Sequence, residues 1–518
     1  MALVTSRVRM VLLVVASLSL PACRGDVTVG GPPDMAGGGG SGGGGDGGVI
    51  VGSGNVLLTG MIVTPDEAID GQVLVEADKI TCVASGTQCA QMPGASGATV
   101  IDTHGVIAPG MLDTHNHILF DIFDNDDWKP SMVYTNHNDW TSEPRYAAML
   151  DVKQCLVNDS QGKPTWCANT PYGTAAGSLR CEIDKYGELK GLVAGTTSIV
   201  GLPGTSSACF GSVARSIDVA QNGLGTDSIQ TSATFPPSKT SADGVCGNFA
   251  DGSTTAYLIH CGEGTDSRAL AEFATLSSVT TTAGCLLAPQ TTITHGTAFG
   301  MTEFTTMAQK GVKLTWSPAS NVSLYGQTAD IPTALAAGVT VALAPDWSMG
   351  GSQNLLDEMR FADSWDNAHF GDKLTAQDLL TMTTKNAAAV LAVGDRLGQI
   401  KEGYIADLVV YAGDTTKPWD AVLAATPKDV QLVMVGGKVQ YADMALAAAA
   451  PANPPCEMLD VCGTPKLLCI ASSDTTNKLN QSYADIKSAL DAALTAADAQ
   501  TAGDGFDFAP LTPLVKCN

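Results

Sequence analysis

Strand-like and helix-like runs alternate along the middle of this 518-residue chain, and this alternation restricts the possible folds more than any other feature. Helical patterns such as SRALAEFATLSS and TEFTTMAQKG separate short runs that have strand character. Repeating strand–helix units form a parallel sheet covered by helices, and a series of this length predicts a (β/α)8 barrel in an α/β protein. The strand-like runs are 196–201, 228–235, 255–261, 291–296, 312–318 and 339–347.

The barrel pattern, residues 109–395, lies between two flanks with short strand patterns broken by glycine, proline and aspartate. We expect these flanks, residues 50–108 and 396–445, to form one small β-sandwich-like domain. Residues 446–518 follow as a cysteine-containing C-terminal extension that shows no catalytic pattern and is interpreted as a disulfide-stapled appendage. Within the barrel pattern, residues 121–186 form a long insertion, and such insertions usually build or cover a site.

The first 23 residues have the pattern of a lipoprotein-type signal peptide. Arg7 and Arg9 precede an apolar stretch that is too short to span a bilayer as a helix. It ends in LPAC, which resembles the site where bacterial lipoproteins receive a lipid, here on Cys23; a plain secretory signal is the alternative. Residues 24–49 are a glycine- and serine-rich linker. We therefore expect an exported protein anchored to a membrane of the cell envelope, or otherwise a periplasmic or secreted one.

The cysteine content agrees with export. The chain has 14 cysteines, and closely spaced cysteines form disulfides in an oxidising compartment, although spacing does not reveal their connectivity. Cys261 lies inside an apolar strand and is a candidate free thiol, for which burial is the simple explanation. The closely spaced groups are Cys82 with Cys89, Cys155 with Cys167 and Cys181, and Cys456 with Cys462 and Cys469.

The charge balance excludes one class of partner. Lysine and arginine number 28 against 52 aspartates and glutamates, so the chain lacks the basic surface that binds nucleic acid. A hydrophobic content of 44% is sufficient for a large core. We expect a small-molecule substrate, and the sequence leaves a homo-oligomer open.

Histidines are few, and a barrel would bring most of them together. Of seven histidines, four stand at the ends of predicted strands, and Asp346 ends a further strand. Side chains two residues apart on a strand face the same way, and the carboxyl ends of barrel strands surround one mouth. Counted from the first barrel strand, these residues fall on strands one, five, six and eight. The strand-end histidines are His115, His117, His260 and His295; His104, His137 and His369 make no pattern, and we interpret them as surface or structural residues.

Six motifs occur in an order that is typical of one superfamily. They are APGMLDTHNH, IHCGEG, TITHG, WSPASNVSLYG, ALAAGVTVALAPDWS and LGQIKEGYIADLVVY. On these motifs, from about residue 50 to residue 445, the chain resembles the amidohydrolase superfamily, and within it the branch of cytosine deaminase and triazine chlorohydrolase.

The resemblance implies a metal-dependent hydrolase of carbon–nitrogen bonds other than peptide bonds, acting on a cyclic amidine or amide. One divalent ion, Zn²⁺ or Fe²⁺, would be bound by His115, His117, His260 and Asp346. Asp346 would also take a proton from the attacking water, Glu263 would pass that proton to the leaving group, and His295 would stabilise the developing charge.

Each role has a competing interpretation. Asp346 could cap the following segment, and Glu263 could be a solvated loop acid. His295 could bind a second metal, but two-metal relatives bridge their ions with a carboxylated lysine on strand four, where this chain has none and Lys239 follows too late. One metal is therefore expected. The competing functions are a prolidase- or dipeptidase-like binuclear peptidase and a non-catalytic surface binding protein on the same barrel.

Tryptophans are the candidates for a substrate surface. Trp128 and Trp140 lie in the long insertion, whereas Trp316 and Trp347 lie at barrel strand ends. We predict that Trp128, Trp316 and Trp347, together with Trp140, line the mouth and stack a flat or apolar substrate. Core packing of these aromatic rings is the alternative, and the sequence does not identify the substrate.

Overall fold

In a computed structural model of the chain, the described residues are 29–30, 49–52, 54–201, 213–220, 222–452, 454–503 and 505–517. The predicted signal peptide with Cys23 lies outside these residues, as does the predicted linker apart from residues 29, 30 and 49. Across the described ranges, none of the helices combines the length and the apolar composition that a membrane crossing requires.

Parallel strands build a barrel, which confirms the predicted fold class. Among the eight barrel strands, taken in chain order, the first three form one parallel sheet and the next five form another. The fifth strand is buried along its whole length, as expected for a strand covered on both faces. The barrel strands are Met111–Asp113, Thr196–Ile199, Arg215–Ser216, Ile229–Ser232, Ala256–Cys261, Thr291–His295, Lys313–Trp316 and Val341–Leu343.

The barrel closes where the first strand meets the eighth. Asn116 and Asp346 form a parallel bridge just beyond the ends of these two strands. The backbone N–H of His117 donates to the Asp346 carbonyl at 2.6 Å, and the N–H of Asp346 donates to the His115 carbonyl at 3.2 Å. The seam that closes the barrel therefore includes three residues predicted to be functional, His115, His117 and Asp346.

Helices cover the outside of the barrel. The helix after the fifth strand begins at Asp266, whose carboxylate accepts hydrogen bonds from two backbone N–H groups of its first turn. The helix after the sixth strand buries Phe304 and Met307 and ends at Gly311, whose positive φ suits glycine. The helices are His137–Trp140, Pro144–Leu156, Arg180–Leu192, Lys239–Asp251, Ser267–Ser278, Met301–Lys310, Pro318–Tyr325, Ile331–Ala337, Leu355–Trp365, Ala376–Thr383, Lys385–Val390, Pro418–Ala424 and Tyr483–Thr501.

Strands from both flanks of the barrel share one sheet, which has eleven strands within the described residues. At its centre, Leu408–Tyr411 from the C-terminal flank pairs antiparallel with Thr99–Pro109 from the N-terminal flank. Leu58 and Leu432 belong to the same buried core, so side chains from both flanks pack together. The other strands are Val29–Gly30, Val49–Ile50, Val56–Val63, Ala68–Glu76, Lys79–Ser85, Val430–Val435, Lys438–Asp443, Glu457–Val461 and Thr464–Leu468.

The C-terminal extension is integrated into the fold, which corrects its interpretation as an appendage. Strands Glu457–Val461 and Thr464–Leu468 pair with each other, and the second continues the sheet beside Lys438–Asp443. The following helix, Tyr483–Thr501, contacts the barrel helix Arg180–Leu192. These pairings join segments far apart in the chain, so no local pattern indicates them.

The end of the described chain reaches the barrel mouth. Thr512 Oγ1 donates to the Ile122 carbonyl at 3.2 Å, and the Tyr186 hydroxyl donates to the Thr512 carbonyl. Lys516 Nζ lies 2.9 Å from a carboxylate oxygen of Asp124. Ile122 and Asp124 belong to the loop that follows the first barrel strand, so this tail supports that loop.

Disulfides occur in both the β domain and the barrel, and the spacing of cysteines in the sequence predicts only some of the pairs. Cys82–Cys89 and Cys155–Cys167 lie within the groups expected from the sequence, and Cys181 is also disulfide-bonded. Cys261 is free and buried, as predicted. Cys456–Cys469 also lies within an expected group, whereas Cys246–Cys285 and Cys462–Cys517 join cysteines that the sequence did not group together.

A double serine variant that removes the Cys462–Cys517 disulfide is expected to have a free energy of unfolding lower by about 2–4 kcal/mol. The reason is that this disulfide joins cysteines 55 residues apart and so restricts a long loop of the unfolded chain. Urea unfolding of the oxidised proteins measures this loss. The double serine variant of Cys82 and Cys89 is the control, since that separation is only 7 residues and its loss is expected to cost less. Equal stability of the Cys462–Cys517 variant and the unchanged protein would contradict the prediction.

Candidate active site

Four histidines and one aspartate meet at the carboxyl ends of barrel strands. His115 and His117 follow the first strand, His260 lies in the fifth, His295 ends the sixth, and Asp346 follows the eighth. The ring of His115 lies with its centroid 5.0 Å from that of His117, 4.6 Å from that of His260 and 5.5 Å from that of His295. Ligand atoms of His115, His260, His295 and Asp346 all lie within 4.8 Å of one another. The structure thus brings together every histidine and aspartate predicted for the site.

The donor atoms in this cluster fit a divalent cation. His117 Nε2 and His260 Nε2 face each other at 3.3 Å, and His117 Nε2 lies 3.4 Å from Asp346 Oδ1. Burial lowers the pKa of His117 to about 4 and also lowers the pKa of His260, so both rings are neutral near pH 7. Neutral imidazoles and a carboxylate that converge in this way suit Zn²⁺ or Fe²⁺.

Asp346 is held as an ionised carboxylate. Burial raises its pKa, but the hydrogen bond with His115 Nε2, at 2.9 Å from Oδ1, and the neighbouring histidines hold it well below its usual range. The other oxygen, Oδ2, accepts a hydrogen bond from Ser320 Oγ at 2.5 Å. An ionised Asp346 can therefore bind a cation through Oδ1 while Ser320 fixes its orientation.

The backbone is strained at two of these positions. His295 has a φ of 76° and Asp346 has a φ of 71°, both in the left-handed region that non-glycine residues rarely adopt. Such conformations persist only where the surroundings enforce them, and they concentrate at functional sites. The strain supports a role for both residues beyond packing.

Glu263 lies beside the histidine cluster in the loop after the fifth strand. Its Oε1 accepts a hydrogen bond from the Tyr325 hydroxyl at 2.6 Å, and its Oε2 lies 3.7 Å from His295 Nε2. Burial raises the pKa of Glu263 to about 7. A carboxyl group that titrates near neutrality can accept and return a proton at physiological pH.

Replacing Tyr325 with phenylalanine is expected to shift the acidic limb of the pH–rate profile to higher pH. The tyrosine hydroxyl donates to Glu263 and so lowers its pKa, which burial raises to about 7; without this donor the carboxyl holds its proton to higher pH. Because the ionised form must accept the proton, activity on the acidic side falls. The profile of the variant measures the shift, with Tyr172→Phe outside the cavity as control. An unchanged acidic limb would show that Tyr325 does not act on Glu263.

A chain of hydrogen bonds orients His295. Trp316 Nε1 donates to Thr328 Oγ1 at 2.6 Å, and Thr328 Oγ1 donates to Asn321 Oδ1 at 3.3 Å. The Asn321 amide nitrogen then faces His295 Nδ1 at 3.0 Å and donates to it. His295 Nδ1 is therefore an acceptor, and its proton lies on Nε2, the atom that faces Glu263. A ring in this form donates a hydrogen bond into the site.

A cavity opens beside the cluster, and two of the four tryptophans predicted to line it do so. Trp140 and Trp347 are lining residues. Trp128 and Trp316 are not among them, which corrects the prediction for these two: Trp128 packs behind Trp140 and Trp347 with its Nε1 bonded to Glu143 at 2.8 Å. Trp316 is fully buried and its indole nitrogen is bonded to Thr328.

His137, Tyr146 and Tyr325 are among the cavity and site residues that were not recognised from the sequence. His137, interpreted as surface or structural, lines the cavity, and its Nε2 lies 2.8 Å from Glu272 Oε1. Tyr146 lines the cavity from the helix Pro144–Leu156 of the long insertion. Tyr325 has one usable signal, because it stands four residues after Asn321 and so on the same helix face.

Lys239 lies outside the histidine cluster. It begins the helix Lys239–Asp251, and its exposed ammonium pairs with Asp243 at 2.9 Å. It is not part of the histidine cluster, whose ligand atoms come from the ends of strands one, five, six and eight.

Comparison with known proteins gives a family for part of the chain. Residues 222–440 match the amidohydrolase family. The 5-methylthioadenosine/S-adenosylhomocysteine deaminase of Thermococcus onnurineus is 32% identical over 166 residues, which are 30% of this chain and 38% of that relative. The enzyme of the same name from Bacillus cereus is 24% identical over 394 residues, 71% of this chain and 88% of that relative. The first of these matches thus spans well under half of its relative.

Solved structures share the fold. An atrazine chlorohydrolase from Arthrobacter aurescens TC1, complexed with zinc, superimposes with a TM-score of 0.56 at 17% identity, covering 74% of this chain and 95% of that chain. A guanine deaminase from C. acetobutylicum with bound guanine gives a TM-score of 0.52 at 16% identity, with 74% and 99% coverage. At these identities the likeness supports the barrel architecture alone.

Proposed function

The chain carries an amidohydrolase domain over residues 222–440, and from that premise we propose that it is a metal-dependent hydrolase of carbon–nitrogen bonds other than peptide bonds. One observation carries the proposal. Side-chain nitrogen and oxygen atoms of His115, His260, His295 and Asp346 converge within 4.8 Å, and the carboxyl group of Glu263 lies beside them. A hydrolase of this kind needs such a cluster and an adjacent proton carrier.

Four residues would hold one divalent ion: His115, His117, His260 and Asp346. When bound, the ion supplies Lewis acidity, which lowers the pKa of a coordinated water toward neutrality. Zinc is the first ion to test, with Fe²⁺ as the alternative. We favour a single ion because Asn321 donates to His295 Nδ1 and leaves the His295 proton on Nε2, where it opposes metal binding.

The protein groups then move protons and stabilise charge. Asp346 accepts the first proton of the attacking water, and Glu263 Oε2 carries it to the departing nitrogen, since Oε1 is occupied by Tyr325. His295 Nε2–H donates to the substituent of the attacked carbon as negative charge develops there. The balanced reaction is addition of water across the carbon–nitrogen bond with release of ammonia or an amine.

The substrate class follows from the relatives and the cavity. Relatives are named as deaminases, and two aromatic walls, Trp140 and Trp347, stand next to the cluster. We propose a cyclic amidine- or amide-type substrate that lies between these walls while its carbon faces the cluster.

Metal analysis combined with a screen for ammonia or amine release tests the function. We expect about one ion per chain and release from at least one cyclic amidine. Two ions per chain together with cleavage of dipeptides would instead support a prolidase-like peptidase. Protein that holds no stoichiometric metal would support the non-catalytic binding function.

We also propose that the protein is exported and lipid-anchored through Cys23. The basic residues, the apolar stretch and LPAC in the first 23 residues support this. Incorporation of labelled palmitate into the full chain, lost in Cys23→Ser, is the expected result. Labelling that persists in the variant would contradict the anchor.

A further inference from the structure

One short helix orients three groups of the proposed active site. The helix Pro318–Tyr325 follows the seventh barrel strand, and three of its side chains each donate a hydrogen bond to a different group at the barrel mouth. A movement of this helix would therefore change all three contacts at once. The pairs are Ser320 Oγ with Asp346 Oδ2 at 2.5 Å, Asn321 Nδ2 with His295 Nδ1 at 3.0 Å, and the Tyr325 hydroxyl with Glu263 Oε1 at 2.6 Å.

The first turn of this helix is held by a carboxyl group from another helix. The Ala319 N–H donates to Glu358 Oε1 at 3.1 Å, and Glu358 lies in the first turn of the helix Leu355–Trp365. The first N–H groups of a helix have no partner within it, and the side chain of the preceding residue often accepts from them. Here the side chain of that residue, Ser317, forms no such bond, and Pro318 has no N–H. In the described part of the chain, Glu358 thus takes the place of the missing cap.

Glu358 also connects this helix to the segment that carries Asp346. Its own helix begins after Asn354, whose side chain accepts from the Asp357 N–H at 3.1 Å, and this segment follows the eighth barrel strand and Asp346 directly. Asp346 is therefore held from two sides. One side is the chain that leads to Glu358, and the other is Ser320 on the helix that Glu358 contacts.

The burial of Glu358 is costly, so its presence calls for a reason other than stability. The side chain is fully buried, and within the described structure its Oε2 has no hydrogen-bond partner. Burial raises the pKa of Glu358 to about 8, so near pH 7 this group is mainly the neutral acid. The contact with Ala319 therefore needs only a neutral acceptor oxygen, which a glutamine also provides.

We propose that Glu358 is a positioning residue that acts on the active site through the helix Pro318–Tyr325. By holding the first turn, it sets the donors of that helix against Asp346 and the other two groups that they orient. Glu358 itself touches neither the substrate nor the metal in this role. The proposal rests on the proposed function for the chemical roles of the oriented groups.

Two substitutions in the full chain test the proposal. Glu358→Met keeps the length of the side chain but removes the acceptor, whereas Glu358→Gln keeps a neutral acceptor oxygen. We expect Glu358→Met to lower kcat by about tenfold to a hundredfold with KM changed by less than about twofold, because the reacting groups shift while the cavity wall stays in place. Glu358→Gln is expected to keep kcat within about twofold of the unchanged protein. An unchanged kcat in Glu358→Met, or an equal loss in Glu358→Gln, would overturn the proposal.

The visible spectrum of the Co²⁺-loaded protein gives a readout that does not depend on turnover. The d–d absorption of Co²⁺ responds to the orientation of its ligands, and Ser320 orients the Asp346 carboxylate. We expect the bands to shift in Glu358→Met at full Co²⁺ content and to match the unchanged protein in Glu358→Gln. A spectrum of Glu358→Met that equals that of the unchanged protein would also overturn the proposal.

Coupling between Glu358 and Ser320 shows whether the effect passes through the helix. Ser320→Ala removes the donor to Asp346 and is expected to lower kcat by itself. In the Glu358→Met background the same change is expected to cause a smaller fold loss, because the contact is already displaced. Equal fold losses in the two backgrounds would contradict a route through the helix.

Asp366→Leu is the control for the loss of a buried carboxyl group. Asp366 is also fully buried, and its Oδ2 accepts from the backbone N–H groups of Lys373 and Leu374 at 2.7 and 2.8 Å. Both Asp366→Leu and Glu358→Met are expected to unfold at lower temperature, whereas kcat and the Co²⁺ spectrum change only in Glu358→Met. Equal changes in both variants would indicate a general loss of stability and overturn the proposal. If Glu358→Met does not fold, Glu358→Asp, which withdraws the acceptor by one methylene group, takes its place in every measurement.

Hydrolysis separates this proposal from the proposed function. If the metal-loaded protein hydrolyses no cyclic amidine or amide but the Co²⁺ spectrum shifts in Glu358→Met and not in the control, the positioning role stands and the proposed function fails. If the protein hydrolyses such a substrate with the same kcat in Glu358→Met as in the unchanged chain, the proposed function stands and the positioning role fails.

Discussion

Replacing His117 with alanine is expected to lower the bound metal from about one ion per chain to well below one and to reduce hydrolysis by about a thousandfold or more. His117 Nε2 lies 3.3 Å from His260 Nε2 and 3.4 Å from Asp346 Oδ1, so its loss opens one side of the donor set. Without a firmly held ion, water keeps a pKa far above neutrality. Metal analysis and the hydrolysis rate are measured on the same preparation.

The matched control for this change is His104→Ala. His104 is also a histidine, but its side chain is 60% exposed and lies in the β domain, away from the cluster. We expect its metal content and rate to equal those of the unchanged protein. Full metal content and an undiminished hydrolysis rate in His117→Ala would contradict the proposed mechanism.

Replacing Glu263 with glutamine is expected to reduce hydrolysis by about a hundredfold to ten-thousandfold while metal content stays unchanged. Glutamine preserves the shape of the side chain and can still accept from the Tyr325 hydroxyl, but its amide cannot carry a proton on the atom that faces His295. The separation of metal content from rate distinguishes this variant from His117→Ala.

The exposed Glu402 supplies the control, as Glu402→Gln makes the same chemical change outside the cavity. Its rate is expected to match the unchanged protein. A Glu263→Gln protein that loses its metal would place this carboxylate in the donor set, and one that keeps its full rate would remove it from proton transfer.

The metal ligands were predictable because each lies at the end of a strand or just after it in the sequence. A parallel barrel places strand ends at one mouth, so His115, His260 and Asp346 could be assigned to a common site without knowledge of any contact. The roles of Asp346 and Glu263 could be assigned only with the family motifs as well, because an acidic residue after a strand is common. The alternation of strands and helices was sufficient for the fold class in the same way.

The aromatic wall was not predictable, because it depends on which way single side chains turn. Trp316 lies at a strand end like the ligands, yet its ring is buried. Its indole nitrogen donates the first of the hydrogen bonds that orient His295. His137 and Tyr146 lie in the long insertion, which has no periodic pattern, and only tertiary packing brings them to the cavity. The sheet strands after residue 456 escaped notice for a related reason, since their partners lie far away in sequence.

The contacts of Thr512 and Lys516 with the loop after the first barrel strand have a consequence for biosynthesis. During synthesis the metal ligands and Glu263 are added to the chain long before these two residues. A partly synthesised chain can therefore contain every reacting group and still lack the contacts that support the loop at the barrel mouth. The Cys462–Cys517 bond acts at the same late stage. The loop after the first barrel strand therefore gains this support only after Thr512, which lies 390 residues beyond Ile122, has been synthesised.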